Sequence, residues 1–210
     1  MKKLMLLAAV AVFGLTSVKA QEVHFGAKAG VNFASLGGDI EDQDGLTSFH
    51  VGVVAEIKFS EQFSFQPELL YSAQGSKEEY SESFAGETVD FEEKLKLDYI
   101  NIPLMAKYYV SENFAIEAGP QVGFLISANA ESEGTYNGES ESDDEDVKDF
   151  FKGIDFGLGA GVSYKLDGGL FFGARYNLGL ANISDNGEDD NDDFKIQNNV
   201  IQVSVGYFFN

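Results

Sequence analysis

Between residues 114 and 128 the side chains alternate with a period of two. Phe114, Ile116, Ala118, Pro120, Val122, Phe124, Ile126 and Ala128 oppose Glu117, Gly119, Gln121, Gly123 and Ser127. A helix would gather its apolar residues three or four apart, so this segment reads as a strand with one greasy face and one polar or bare face. The same split recurs at 154–166 and 170–181, and further strands are expected at 23–33, 48–59, 63–75, 97–110 and 199–209. That makes eight strands.

The connections alternate in length. Short turns fall at 60–62, 111–113 and 167–169, and long links fall at 34–47, 76–96, 129–153 and 182–198. A ring of hairpins with short turns at one end and long loops at the other produces this order. A soluble barrel would alternate too, but the apolar face here carries more Phe and Tyr than the lumen of eight strands can hold. The polar face carries Gly157, Gly159 and Gly161 in a row, which makes room on a crowded concave surface. The apolar face therefore points outward to lipid, with aromatic residues clustered near the strand ends as interfacial girdles. The expected fold is all-β, an eight-stranded antiparallel up-and-down transmembrane β-barrel.

Two irregularities are expected. In the fourth strand Leu95 and Leu97 lie on odd positions, while Ile100, Ile102, Leu104, Ala106, Tyr108 and Val110 lie on even ones. A bulge near Asp98 or Tyr99 would turn the apolar face over. Pro67, Pro103 and Pro120 also fall inside strands, although proline cannot donate to a ladder.

The first twenty residues have the form of a cleaved signal peptide: Lys2 and Lys3, an apolar run, then Val18-Lys19-Ala20 at the cut. Residues 21–210 are then the barrel domain. Export, a barrel and short turns on the inner side together place the chain in the outer membrane, both termini periplasmic and the long loops extracellular. Net charge is −21, becoming −24 when Lys2, Lys3 and Lys19 leave with the signal. A chain so acidic has no basic face for phosphates, and nucleic acid is excluded as a partner. The chain has no Cys, so neither disulfides nor thiolate metal sites hold it.

The segments FGAKAGVNFA, QPELLYSAQGSK, LDYINIPLMAKYY, EAGPQVGFLISA, DFGLGAGVSYKL and VSVGYFF, in this order, resemble the outer-membrane β-barrel domain family of the Bacteroidota, which includes the PorT-like proteins. The resemblance covers nearly the whole mature chain. It implies an outer-membrane barrel, with protein secretion as the association of the PorT-like members, and it transfers no catalytic or ligand-binding residue. Outer-membrane lipids, lipopolysaccharide and the insertion machinery are the partners it implies. Many such barrels end in an aromatic residue, whereas this chain ends Phe208-Phe209-Asn210.

By parity, Lys28, Glu56, Lys58, Glu68, Lys107, Glu117, Lys165 and Arg175 point into the lumen. Mixed signs in so narrow a space suggest an ion-paired plug. The alternative is a selectivity constriction in a narrow passive channel or carrier for small solutes. The long links hold most of the acid, with Asp143, Asp144, Asp189 and Asp190 as weak candidates for divalent cations. No cofactor is expected. A hydrolase would need a base, and only His24 and His50 are available, both inward and without a motif around them. The expected role is non-enzymatic: structural, interaction or secretion-accessory, acting through the acidic extracellular loops.

Overall fold

The computed structural model describes residues 22–39, 44–84, 87–136, 139–185 and 194–209. The signal segment and the acids Asp189 and Asp190 lie outside them. The described residues form nine strands: β1 (Glu22–Gly38), β2 (Asp44–Lys58), β3 (Phe63–Phe84), β4 (Glu87–Tyr109), β5 (Phe114–Tyr136), β6 (Glu139–Asp146), β7 (Ile154–Lys165), β8 (Leu170–Gly179) and β9 (Ile196–Phe209). All pairings are antiparallel, each strand beside its chain neighbour except where β7 skips β6 to pair with β5. β1 pairs with both β2 and β9, and β4 with β5, so eight strands close into a ring. The three short turns sit at one end of it, each closed by backbone bonds such as Phe59 N–H to Phe63 O (2.9 Å) and Leu166 N–H to Leu170 O (2.7 Å).

The outward face is apolar over most of the ring. Val31, Val53, Leu69, Leu158 and Val203 are 41–55% exposed, although large aliphatic side chains normally lead the buried fraction. Outward aromatics gather toward both ends of this band, with Phe63 against Tyr108 (5.0 Å between centroids) and Tyr207 against Phe209 (6.0 Å) on the turn side, and Phe49 against the half-buried Tyr71 (5.6 Å) on the other. Among the described residues no helix is long and apolar enough to cross a membrane. The band is made by strands, whose backbone groups pair with one another around the closed ring.

Two expectations need correction. Residues 76–96 and 129–153 are not open loops. β3, β4 and β5 run on past the apolar band, and β6 joins them, making a four-stranded extension on one side of the ring. Both faces of this extension are wet, so it lacks the apolar rhythm that marks the strands below. Cross-strand pairs hold it: Tyr80 stacks on Phe91 at 5.1 Å, Lys77 reaches Glu92 at 2.6 Å and Lys96 reaches Glu131 at 2.5 Å, while Lys94 contacts Glu92 along β4 itself. Hydrogen bonds from Lys77 first and Lys94 second hold the Glu92 carboxyl down to about 2.

The second correction concerns the fourth strand. β4 does not turn over: Leu97, Tyr99, Asn101, Met105, Lys107 and Tyr109 are all buried, hence inward on both sides of residue 98. The chemistry of the inner wall changes instead. The ladder does break at Asp98/Tyr99, but the extra residue is Ile126 on β5, between Leu125 and Ser127, which face Tyr99 and Asp98. Beyond it Ala128, assigned to the outer face by its even position, is fully buried. All three prolines lie within strands, each beside a gap in one ladder: Pro67 between β2 and β3, Pro103 between β3 and β4, Pro120 between β4 and β5. The missing donors are thus accommodated by local loss of pairing in the ring.

Candidate functional site

Inward side chains fill the barrel in tiers. At the turn end Phe171 stacks on Phe208 at 4.7 Å beside Val54, and the Lys165 ammonium lies 4.9 Å from the Phe208 ring centre. Glu56 sits in the same tier. It accepts from Ser64 (2.9 Å) and from the Tyr109 hydroxyl, and pairs with Lys165 (3.5 Å) and more loosely with Lys107 (3.9 Å).

The next tier centres on Arg175. Its two terminal nitrogens bind Glu68 in a fork at 2.7 and 3.0 Å, and its Nε–H donates to Glu117 at 2.8 Å. Lys28 closes on the other side of Glu68 at 2.8 Å, Gln66 donates to Glu68 at 2.7 Å, and Lys107 donates to Gln66 at 3.0 Å. The glycine wall of β7 makes room for β8. A Cβ on Gly161 would collide with Ala174 O and fall 2.9 Å from Arg175 Cα, and one on Gly159 would fall 2.7 Å from Asn177 Oδ1 and 3.3 Å from Arg175 Cδ. A cavity of about 10 Å³ remains beside Arg175, Lys28 and Ser204, room for a single water.

Seven of the eight charges expected in the lumen therefore form one network. Lys58 does not join it; it stands half-buried at the rim, 4.0 Å from Glu22. The reason is height, since the last residue of β2 leaves the ring before it reaches the next acid.

Above Arg175 the lining turns mostly neutral, with Asp155 its one buried carboxylate among the described residues. His50, fully buried, sits with Nδ1 2.8 Å from Asn32 Oδ1 and Nε2 2.8 Å from Ser204 Oγ. Asn32 in turn donates to Ser72 Oγ and to the carbonyls of Phe49 and Ala73. Serine, imidazole and an orienting amide are the parts of a nucleophilic triad. The space for a substrate is missing, because Ser204 is 7% exposed and opens only on that water-sized void. Fluorophosphonate added to the folded barrel is expected to leave Ser204 unlabelled in the intact mass; a phosphonyl adduct there would mean that the lumen admits a small reagent to an activated serine. His24 lies lower, at the rim, 3.2 Å from Glu22 and edge-on to Phe208.

The lumen is closed at the far end by an apolar core of Leu36, Leu97, Tyr99, Leu125, Ala128 and Ile183, with Val147, Phe151 and Ile196 against it. A bridge between Phe151 and Ser184 ties the two segments that supply this lid. Position parity would have found Asn32 and Gln66, which share the inward parity of Lys28 and Glu68 on their own strands, and Ser204, which lies between Gln202 and Gly206 on the polar face of β9. Nothing in the sequence distinguished Tyr99 and Leu97 from lipid-facing residues.

Asp143 and Asp144 are adjacent on β6, exposed and on opposite faces of the strand. Among the described residues no group of three or more His, Cys, Asp and Glu is placed to hold a metal ion.

The sequence profile of a family described as outer membrane protein beta-barrel domain matches residues 19–185. No curated protein sequence matches the chain. Three similar solved structures are Ail, the attachment invasion locus protein of Yersinia pestis, Neisserial surface protein A, and Outer Membrane Protein W of E. coli. Ail is 13% identical at a TM-score of 0.46, over 90% of this chain and 99% of that one. Neisserial surface protein A is 11% identical at 0.44, over 91% and 100%. Outer Membrane Protein W is 14% identical at 0.40, over 89% and 97%.

Proposed function

Because the chain belongs to the outer membrane protein beta-barrel domain family, we propose that it is a non-enzymatic outer-membrane barrel working through its extracellular face, in a structural, interaction or secretion-accessory role such as the PorT-like proteins have. In this reading the termini are periplasmic, and the extension and long connections stand outside among lipopolysaccharide. The carrying observation is the filled lumen: a salt-bridged tier around Arg175 below an apolar lid. A barrel that transports nothing through its centre has its surface left to work with, and the largest surface outside the apolar band is the four-stranded extension.

Deleting 137–146 together with 189–193 is expected to leave a folded barrel that no longer complements loss of the gene; full complementation would sink the proposal. The competing reading, a narrow channel, is tested separately in planar bilayers. No discrete conductance is expected, and steady channels that change with Arg175→Ala would favour the channel.

A further inference from the structure

β6 is the last strand of the sheet: its inner edge pairs with β5 from Asn129↔Asp146 to Tyr136↔Glu139, and no strand among the described residues pairs with its outer edge. Lower down, β7 occupies the same side of β5, so β6 stands where the ring has opened. An eight-residue strand is roughly 26 Å long, and half of its backbone N–H and C=O groups point away from β5. Such a row is a template for another strand.

The side chains restrict what can add there. Six of the eight residues in Glu139–Asp146 are acidic. The register puts Glu141, Asp143 and Glu145 on the face of Phe91 and Leu95, and Asp144 and Asp146 on the opposite face. An added strand would therefore meet carboxylates on both of its faces. The lysines of the extension do not neutralise them, since Lys77 and Lys94 are taken by Glu92 and Lys96 by Glu131. On the Phe91 face a shallow depression of about 590 Å³ adjoins the edge, lined by Val89, Phe91, Gly134, Glu141 and Asp143. A second copy of this chain is a poor occupant, because β6 against β6 would set acid opposite acid.

We propose that the outer edge of β6 receives an extended cationic segment of another polypeptide, which adds as a strand and places its Lys or Arg side chains against Glu141, Asp143, Asp144 and Glu145. This rests on the reading of the extension as the working surface, and it gives that surface a partner chemistry.

The test uses the full barrel in nanodiscs and a fluorescent ten-residue peptide of alternating Lys and Thr. Saturable binding is expected, with slowed amide exchange in β6. Binding should weaken at least tenfold in the double variant Glu141→Lys, Asp143→Lys and at least tenfold when the peptide is N-methylated along its length. Equal binding of the N-methylated peptide would reduce the site to charge attraction and overturn strand addition. Absence of binding at millimolar peptide, or dimerisation through β6 in place of peptide capture, would overturn it as well. Since the measurement is made on purified barrel, its failure leaves the complementation result standing, and failed complementation leaves the binding result standing.

Discussion

Replacing Arg175 by methionine is expected to cost the barrel about 3–5 kcal/mol, the range for breaking a buried pair from one side. The side chain is 5% exposed and serves two buried carboxylates, Glu68 in a fork and Glu117 through Nε. Methionine fills much of the volume and provides no donor. Lys28 still reaches Glu68, but the nearest remaining cation to Glu117 is Lys107 at 4.0 Å. The penalty thus comes from what is left behind, and removing the stranded carboxylate as well should relieve it. The double variant Glu117→Gln, Arg175→Met, which keeps Glu68 paired with Lys28, is expected to recover more than half of the loss. Reversible urea unfolding in lipid, followed by tyrosine fluorescence, measures both. A single variant as stable as the parent would show that the fork contributes nothing.

The second large effect belongs to the outer face. Val203 lies midway along β9, opposite Val31 on β1, and is half exposed. Arginine there would sit near the middle of the apolar band, where a cation costs about 2–4 kcal/mol. Thr135→Arg, on the extension, should cost no more than about 0.5 kcal/mol, as ordinary surface substitutions do. The same unfolding assay reads the contrast. Equal effects at the two positions would contradict the placement of the band.

The contrast between those positions also explains which parts of the fold could be read in advance. Alternation is visible only where the two faces differ chemically. Val203, Val205 and Tyr207 against Gln202, Ser204 and Gly206 differ sharply, and β9 is legible. Lys77, Glu79 and Ser81 against Glu78 and Tyr80 hardly differ, so the extension reads as a loop although each of its strands is paired with a neighbour. β4 failed for a related reason. Its inner wall goes from Lys107 and Asn101 to Tyr99 and Leu97, so the contrast inverts while the backbone keeps its phase. The candidate site divided along the same line. Charges are rare and conspicuous on an inward parity, and seven of eight were placed; their neutral partners are common residues whose role depends on contacts between strands far apart in sequence, such as His50 with Ser204.

The unequal heights of the strands have one more consequence. β7 and β8 have 12 and 10 residues, against 22 and 23 for β3 and β4. Seen from above, the molecule is not round: it has a heading. A tall sheet rises over one sector, and the strands of the opposite sector end near the band. Turning about the membrane normal therefore changes what a neighbouring complex meets, and a partner fixed in the same plane would engage it over only part of each turn. Any assembly built on the tall sector must set the barrel's azimuth as well as its distance.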